Sequence, residues 1–561
     1  MSPWFVDLLL LSCAINLPKT VHGAATTTFE ELPTVKLSYG SFQGATVGDI
    51  VTFLGMPFAT PPLGRLRFAP PELPIPFSGI RPATAFGAAC LQPEEVFPAN
   101  PGVNISFPGP VNKSEDCLFI NVVKPVSIPA GKKLPVLFWI YGGGFEVGDT
   151  SLNPGNTVVE RSIALNEPII YVSANYRVNA LGFLGGKEVK AAGIGNVGLR
   201  DQRFAMQWVQ RNIALFGGDP TKVTIWGQSA GAASVGLQML LNDGNPHGLF
   251  RAAFMESGSP IPLKDITAQQ QSFDQLVSDT GCTGSFDKIS CLRSIPSDKL
   301  RTVINAFPSV FSFSSLRFSW SPSIDGQFIV RDSQVSILKG LYAKVPFVTG
   351  DCDDEGTLFS FASLNITNND EFLHYVQANY LTGINATQLA AVGNAYPDDI
   401  TQGSPFDTGT ANALTPEFKR IAAFQGDWIF QAPRRFFLQV ASKTQPAFAY
   451  LFKRGKATPF LGSSHGSDLT EFYGSGDLPD FIGTDALVNF ANTLNPTTPS
   501  NSASLLSMSG LEWKEWSSSA RAPPMLTFLD PSPLLAITAD TFRAEAMDLL
   551  ISISLKLDGN N

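Results

Sequence analysis

The sequence predicts an α/β fold with a large, mostly parallel central sheet flanked by helices. Two observations carry that prediction. Short apolar, β-prone runs alternate with helical patterns, as strands joined by helical crossovers do. The stretch Phe216 to Gly231, FGGDPTKVTIWGQSAG, then reads as strand, sharp turn and helix. Val223, Ile225 and Trp226 form the strand. Gly227-Gln228-Ser229-Ala230-Gly231 forms the turn, and the small residues Ala232 to Val235 open the helix. So tight a turn requires residues without bulk around the serine, hence Gly227 and Gly231. It lifts the Ser229 hydroxyl to the top of the sheet and places the Ala230 amide at a helix N-terminus, where negative charge is favoured. A serine in any Gly-rich turn could share these letters; the flanking strand and helix set this one apart.

From the N-terminus, MSPWFVDLLLLSCAINLPKTVHG has an apolar run, Leu8 to Ile15, too short to span a bilayer. Val21-His22-Gly23 then offers small residues at a cleavage position. Residues 1–23 are expected to be a secretory signal, and 24–561 a single domain with large insertions. No later run is long and apolar enough for a transmembrane segment, and the tail is not a lipid-anchor signal. Val35 to Thr52 alternates apolar and polar residues, which predicts an opening antiparallel hairpin. Gly55 to Pro71 is a Pro-rich connection whose apolar residues need burial over the core. Cys90 to Cys117 is a surface excursion with two sequons and Pro93, Pro98, Pro101, Pro108 and Pro110. Leu118 to Val123, Pro135 to Ile140 and Ile169 to Ala174 read as strands. Gly195 to Phe216 becomes a helix, with Ala205, Trp208, Val209, Ile213 and Phe216 at helical spacing. After the serine turn, further strands are predicted at Ala252 to Met255, Pro346 to Thr349 and Ala447 to Phe452. The insertion from about 272 to 320 is helical at first and then rich in phenylalanine, at Phe307, Phe311, Phe313 and Phe318, ending on Trp320. These aromatics suit core packing or a substrate wall.

Composition narrows the function classes. The net charge of −9 argues against a nucleic-acid partner and against docking on anionic membranes. Only 16% of residues are charged and 44% are apolar, ample for a large core. Once Cys13 leaves with the signal, five cysteines remain, an odd number. Nearest-neighbour pairing suggests Cys90–Cys117 and Cys282–Cys291, with Cys352 free. Each bridge is worth about 2–4 kcal/mol by restricting the unfolded chain. Glycosylation sequons at Asn104, Asn112, Asn365 and Asn385 fit the same oxidising, extracellular route.

Ester hydrolysis by Ser229 needs a base, a carboxylate to orient it, and donors for an oxyanion. Gly142-Gly143-Gly144, following the strand that ends at Ile140, can turn N–H groups inward and admit a carbonyl closely. With Ala230, the Gly143 and Gly144 amides are the candidate donors. Four histidines are present. His22 lies in the signal, His374 on an amphipathic helix and His247 in a turn. His465, in a small-residue loop after a strand, is therefore the base by elimination. Gly350 to Thr357, GDCDDEGT, offers four acids between serine and histidine. Glu355, next to Gly356, is the favoured partner for the ring N–H of His465. Leu358, Phe359, Phe311 and Phe313 are candidates for the acyl pocket. This chemistry calls for no metal and no cofactor, only a small-molecule or lipid ester.

These residues resemble the type-B carboxylesterase/lipase family of α/β-hydrolases. The resemblance rests on Phe216 to Gly231 and on Glu115 to Pro125, EDCLFINVVKP, where Phe119 replaces the usual Tyr or Thr. GMPFATPPLGRLRF, YGGGF, NYRVNALGFL, GNVGLRDQRFAMQWVQRNI, FMESGSP, GDCDDEGT and SSHGSDL extend it over nearly everything after Val35. The resemblance implies a triad of Ser229, Glu355 and His465, an oxyanion hole of Gly143, Gly144 and Ala230, and the two disulfides above. It also implies ion pairs Arg67–Glu115 and Arg177–Asp201, with Ser257 supporting Glu355. Its flavour is that of secreted fungal lipases, sterol esterases and carboxylesterases. Alternatives on the same fold are a cholinesterase-like enzyme, which needs an aromatic cage for a cation, and a non-catalytic adhesion or scaffold protein. The latter lose the serine or histidine that this chain keeps.

In that branch the segment closed by the first disulfide, 90–117, is the lid. Its five prolines forbid a long amphipathic helix, because each removes a donor and breaks the ladder. A short lid favours soluble or dispersed esters. The rate on a triglyceride should therefore rise little as substrate passes its solubility limit; a steep jump would refute the short lid.

Overall fold

The computed structural model describes residues 32–94, 109, 112–476, 479–497 and 504–558. The expected signal, the body of the lid and the Asn104 sequon lie outside them. Eleven strands form one sheet: β1 Ala45–Val47, β2 Ile50–Pro57, β3 Phe119–Pro125, β4 Leu134–Ile140, β5 Ile170–Ala174, β6 Gly218–Gln228, β7 Ala252–Glu256, β8 Phe347–Cys352, β9 Ala447–Phe452, β10 Pro524–Phe528 and β11 Leu535–Ala539. Their spatial order is β11-β10-β9-β8-β7-β6-β4-β5-β3-β2-β1. Neighbours from β5 through β10 pair in parallel, and the outer pairs are antiparallel. Every residue of β4 is buried, as expected of a parallel strand covered on both faces. Trp139 of β4 lies opposite Trp226 of β6, their rings 4.5 Å apart. The chain visits β4 and β5 on one side and then returns to β6 on the other. That reversal opens a crevice at the carboxyl ends of β4 and β6, where ligands bind in open α/β sheets.

The opening segment forms two hairpins rather than one. Thr34–Leu37 pairs with Gly40–Gln43 in a separate small sheet, and β1 pairs with β2 in the large one. Gly44 divides them, because a Cβ there would lie 2.4 Å from the Thr52 carbonyl oxygen. Strands β10 and β11 were not anticipated. Both disulfides form as expected, and Cys352 is free and buried. Arg67 pairs with Glu115 and also donates to the carbonyls of Leu292, Arg293 and Ile295, at the end of helix Lys288–Ser294. Arg177 pairs with Asp201 through two bonds of 2.8 and 2.7 Å. No helix of the described residues is long and apolar enough to cross a membrane.

A third buried charge network fixes the end of β8. Arg434, fully buried on helix Ala432–Ala441, donates to Asp351 at 3.0 Å and to both oxygens of Asp540 at 2.9 and 3.0 Å. Burial alone would raise the Asp540 carboxyl; Arg434 and Arg435 pull it well below the ordinary carboxylate range. Removing the cation strips Asp351 of its partner and leaves Asp540 with Arg435 alone. Arg434→Met should cost about 3–5 kcal/mol in denaturant unfolding. A loss under about 1 kcal/mol would show that the network is not what holds β8.

Candidate active site

Ser229 sits between β6 and helix α1, Ala230–Gly244, at φ 56° and ψ −126°. A non-glycine residue there costs on the order of 1–3 kcal/mol and persists only where its surroundings hold it. Its N–H donates to the Glu256 carbonyl at 2.8 Å, and its own carbonyl accepts from Ala233 at 2.8 Å. The glycines are needed for close approach. A Cβ on Gly231 would lie 2.0 Å from the Ile140 carbonyl oxygen, and one on Gly227 would lie 2.5 Å from the Gly231 backbone.

The turn after β4 runs alongside. Gly142 is so close that a Cβ on it would reach within 2.8 Å of Ser229 Cβ. Gly143 and Gly144 take φ 106° and 62°, open to glycine at little cost. The Gly143 carbonyl accepts from Glu146 and Val147, which folds the loop back, and Gly143 and Gly144 line Ser229's cavity. Among the described residues, no protein acceptor pairs with the N–H of Gly143, Gly144 or Ala230.

His465 lines the same cavity. Its Nδ1 lies 2.5 Å from Glu355 Oε2, and Glu355 Oε1 accepts from the Cys352 N–H at 2.6 Å. Burial raises the Glu355 carboxyl; the Ser257 hydroxyl and the Cys352 N–H oppose that rise. Burial also pushes the imidazole down to about 4, although Asp468 and Asp351 favour its charged form. The rings of Phe430 and Phe359 pack on it at 4.6 and 5.1 Å. Its other nitrogen, Nε2, is 3.3 Å from Nε2 of Gln228. No hydrogen bond joins Ser229 Oγ to His465 Nε2 among the described residues.

The other acids of the GDCDDEGT block have structural partners. Asp351 meets Arg434, while Asp353 and Asp354 hold Lys456 at 2.8 and 2.7 Å. His247 and His374 are exposed and remote from the cavity lining. Asn112, Asn365 and Asn385 are exposed, and Asn385 also caps helix Ala386–Ala395.

The cavity holds about 640 Å³. Phe311, Leu358 and Phe359 line it, with Phe311 stacked on Phe359 at 5.9 Å. Phe313 does not. It is 46% exposed and packs its edge on Tyr375, because the turn after Phe311 carries it outward. Its place in the wall belongs to Val310, Leu316 and Phe318. Sequence reasoning also missed Gln228 and Phe430. Phe430 lies on the irregular helical turn Asp427–Gln431, with no sequence signal that it faces a histidine. Gln228 stood inside the serine motif, where only its spatial neighbours reveal a role.

Comparison with known proteins places this arrangement. The carboxylesterase family model matches residues 31–523. Lipase 4 of Diutina rugosa is 40% identical, aligned over 93% of this chain and 96% of that protein. Secreted lipase 1 of Botryotinia fuckeliana is 37% identical, over 97% of each. The crystal structure of Aspergillus niger EstA superposes with a TM-score of 0.79 at 27% identity, covering 94% of this chain and 99% of that one. The sheet and its crossings are those of the α/β-hydrolase fold.

The crossing at Gly231 yields a direct test. Gly231→Ala forces a methyl group into the Ile140 carbonyl. It should destabilise the chain by at least about 1–3 kcal/mol in denaturant unfolding. An unchanged midpoint would mean that the turn is looser than described.

Proposed function

The chain belongs to the carboxylesterase family and is a carboxylic ester hydrolase, and from that premise we propose that it is a secreted enzyme working through Ser229, His465 and Glu355. The observation that carries the reading is the bond from His465 Nδ1 to Glu355, on an imidazole that shares one cavity wall with Ser229. Ser229 Oγ attacks the ester carbonyl carbon while His465 Nε2 takes its proton. The carbonyl oxygen becomes an oxyanion held by the N–H groups of Gly143, Gly144 and Ala230. Loss of one such donor typically costs about 2.7–4 kcal/mol. Glu355 stabilises the imidazolium without accepting its proton. The imidazolium then protonates the departing alcohol. A water deprotonated by the same histidine attacks the acyl carbon and releases the acid.

The wall built from Val310, Leu316, Phe318, Leu358 and Phe359 suits an apolar acyl group. Among the described residues, no tryptophan lines the cavity and its one carboxylate is Glu94. Tyr141 and five phenylalanines line it, but the strongest cation–π partner is missing, which favours neutral esters over a cholinesterase-like activity. Secretion is supported by the leader-like residues 1–23, by the two disulfides and by relatives that are themselves named secreted lipases.

An organophosphate should label Ser229, as peptide mass mapping would detect. Ser229→Ala should lower kcat by on the order of 10⁵–10⁶ while the thermal melt stays nearly unchanged. An unlabelled serine, or a variant that retains activity, would favour the scaffold reading or a nucleophile elsewhere.

A further inference from the structure

The serine motif contains one side chain that the mechanism above leaves unused. Gln228 ends β6, is only 6% exposed, and reaches Nε2 of His465 with its side-chain amide. That nitrogen is the atom required to accept the Ser229 proton. We propose that Gln228 is a positioning residue for His465: its amide N–H donates to Nε2, fixing the ring proton on Nδ1 and keeping Nε2 unprotonated until the Ser229 hydroxyl takes the amide's place. The inference rests on the assignment of His465 as the base.

Two features frame the amide in that direction. A Cβ on Gly142 would lie 2.7 Å from Gln228 Oε1, and one on Gly466 would lie 3.5 Å from its Nε2. The amide is thus packed between two glycines, with its nitrogen toward the histidine loop. The other side of the ring agrees. Glu355 Oε1 already accepts from the Cys352 N–H, so Oε2 is left to receive Nδ1–H.

The consequence is electrostatic. A donor aimed at Nε2 stabilises the neutral imidazole and opposes the imidazolium, whose own N–H would face that donor. The other groups around the ring are Glu355 at Nδ1, the carboxyls of Asp468 and Asp351, and the rings of Phe359 and Phe430. Asp468 and Asp351 favour the charged ring. Arg434 is engaged with Asp351 and Asp540. Gln228 thus acts with burial against the acids, and keeps the base available in mildly acidic solution.

The sign follows directly. A general base works above its own pKa, so the acid limb of kcat/KM should fall below the ordinary imidazole value of 6.5. Gln228→Met keeps the length of the side chain and removes the donor. On a soluble neutral ester it should move that limb upward by roughly half to one pH unit, the worth of one net hydrogen bond. Coincident limbs in the two proteins would overturn the proposal. Should the variant not fold, ¹⁵N-histidine spectra of the unaltered chain decide the same point, with His465 assigned by its loss in His465→Gln. The expected tautomer at neutral pH is Nδ1–H with Nε2 bare; an Nε2–H tautomer would refute the proposal. Labelling of Ser229 with unmoved limbs would sink this inference alone. Failure to label Ser229 would sink the reading beneath it.

Discussion

The backbone of β4 passes so near the start of α1 that nothing larger than a hydrogen atom fits between them. A methyl group at Gly231 would meet the Ile140 carbonyl at 2.0 Å, and one at Gly142 would meet Ser229 Cβ at 2.8 Å. This contact pins the two strand ends that flank the reversal of strand order. It holds Ser229 at a positive φ that the residue would not choose alone. Gly143, Gly144 and Ala230 line the same cavity beside it. The parallel pairing of β4 and β6, from Val136–Val223 to Ile140–Gly227, carries that constraint into the core.

Charge is arranged around the same point by burial. Arg434 neutralises Asp351 and Asp540 and so fixes the end of β8, from which the chain turns to present Glu355. Lys453 and Lys456 tie down Asp353. Of the acids in that block, Glu355 is the one directed at His465. Burial raises the carboxyls of Asp468, which acts on the imidazole, and of Glu256; Tyr450 and Trp226 donate to them. A ring placed among several acids would ordinarily hold its proton tightly; dry surroundings push the other way. The protonation of His465 is set by competition between these effects.

The apolar cavity wall is drawn from segments far apart in sequence. Val310, Phe311, Leu316 and Phe318 come from the insertion, Leu358 and Phe359 from the turn beyond Glu355, and Ile429 and Phe430 from a short π-helical turn. Gly144 allows the insertion to close in, since a Cβ there would already touch Val310 and Phe318 at 3.3 Å. The apolar lining is therefore mounted on connections, as is His465, while Ser229 directly follows a strand end.

By itself, the sequence determined the sheet class, the serine turn and the two disulfides, and it proposed the glycine donors and His465. Those features are local or countable: periodicity, glycine placement and cysteine parity survive in one dimension. It did not separate Phe311 from Phe313, because two aromatics two positions apart in an irregular loop carry no period to say which faces inward. It read one hairpin where Gly44 makes two, since a steric break depends on the neighbour that Gly44 must accommodate. Only the tertiary structure gave Asp351, Asp353 and Asp354 their partners and brought Gln228 against His465, 237 positions away. Such pairings are fixed by how loops converge at the carboxyl ends of the central strands, and no spacing along the chain encodes them.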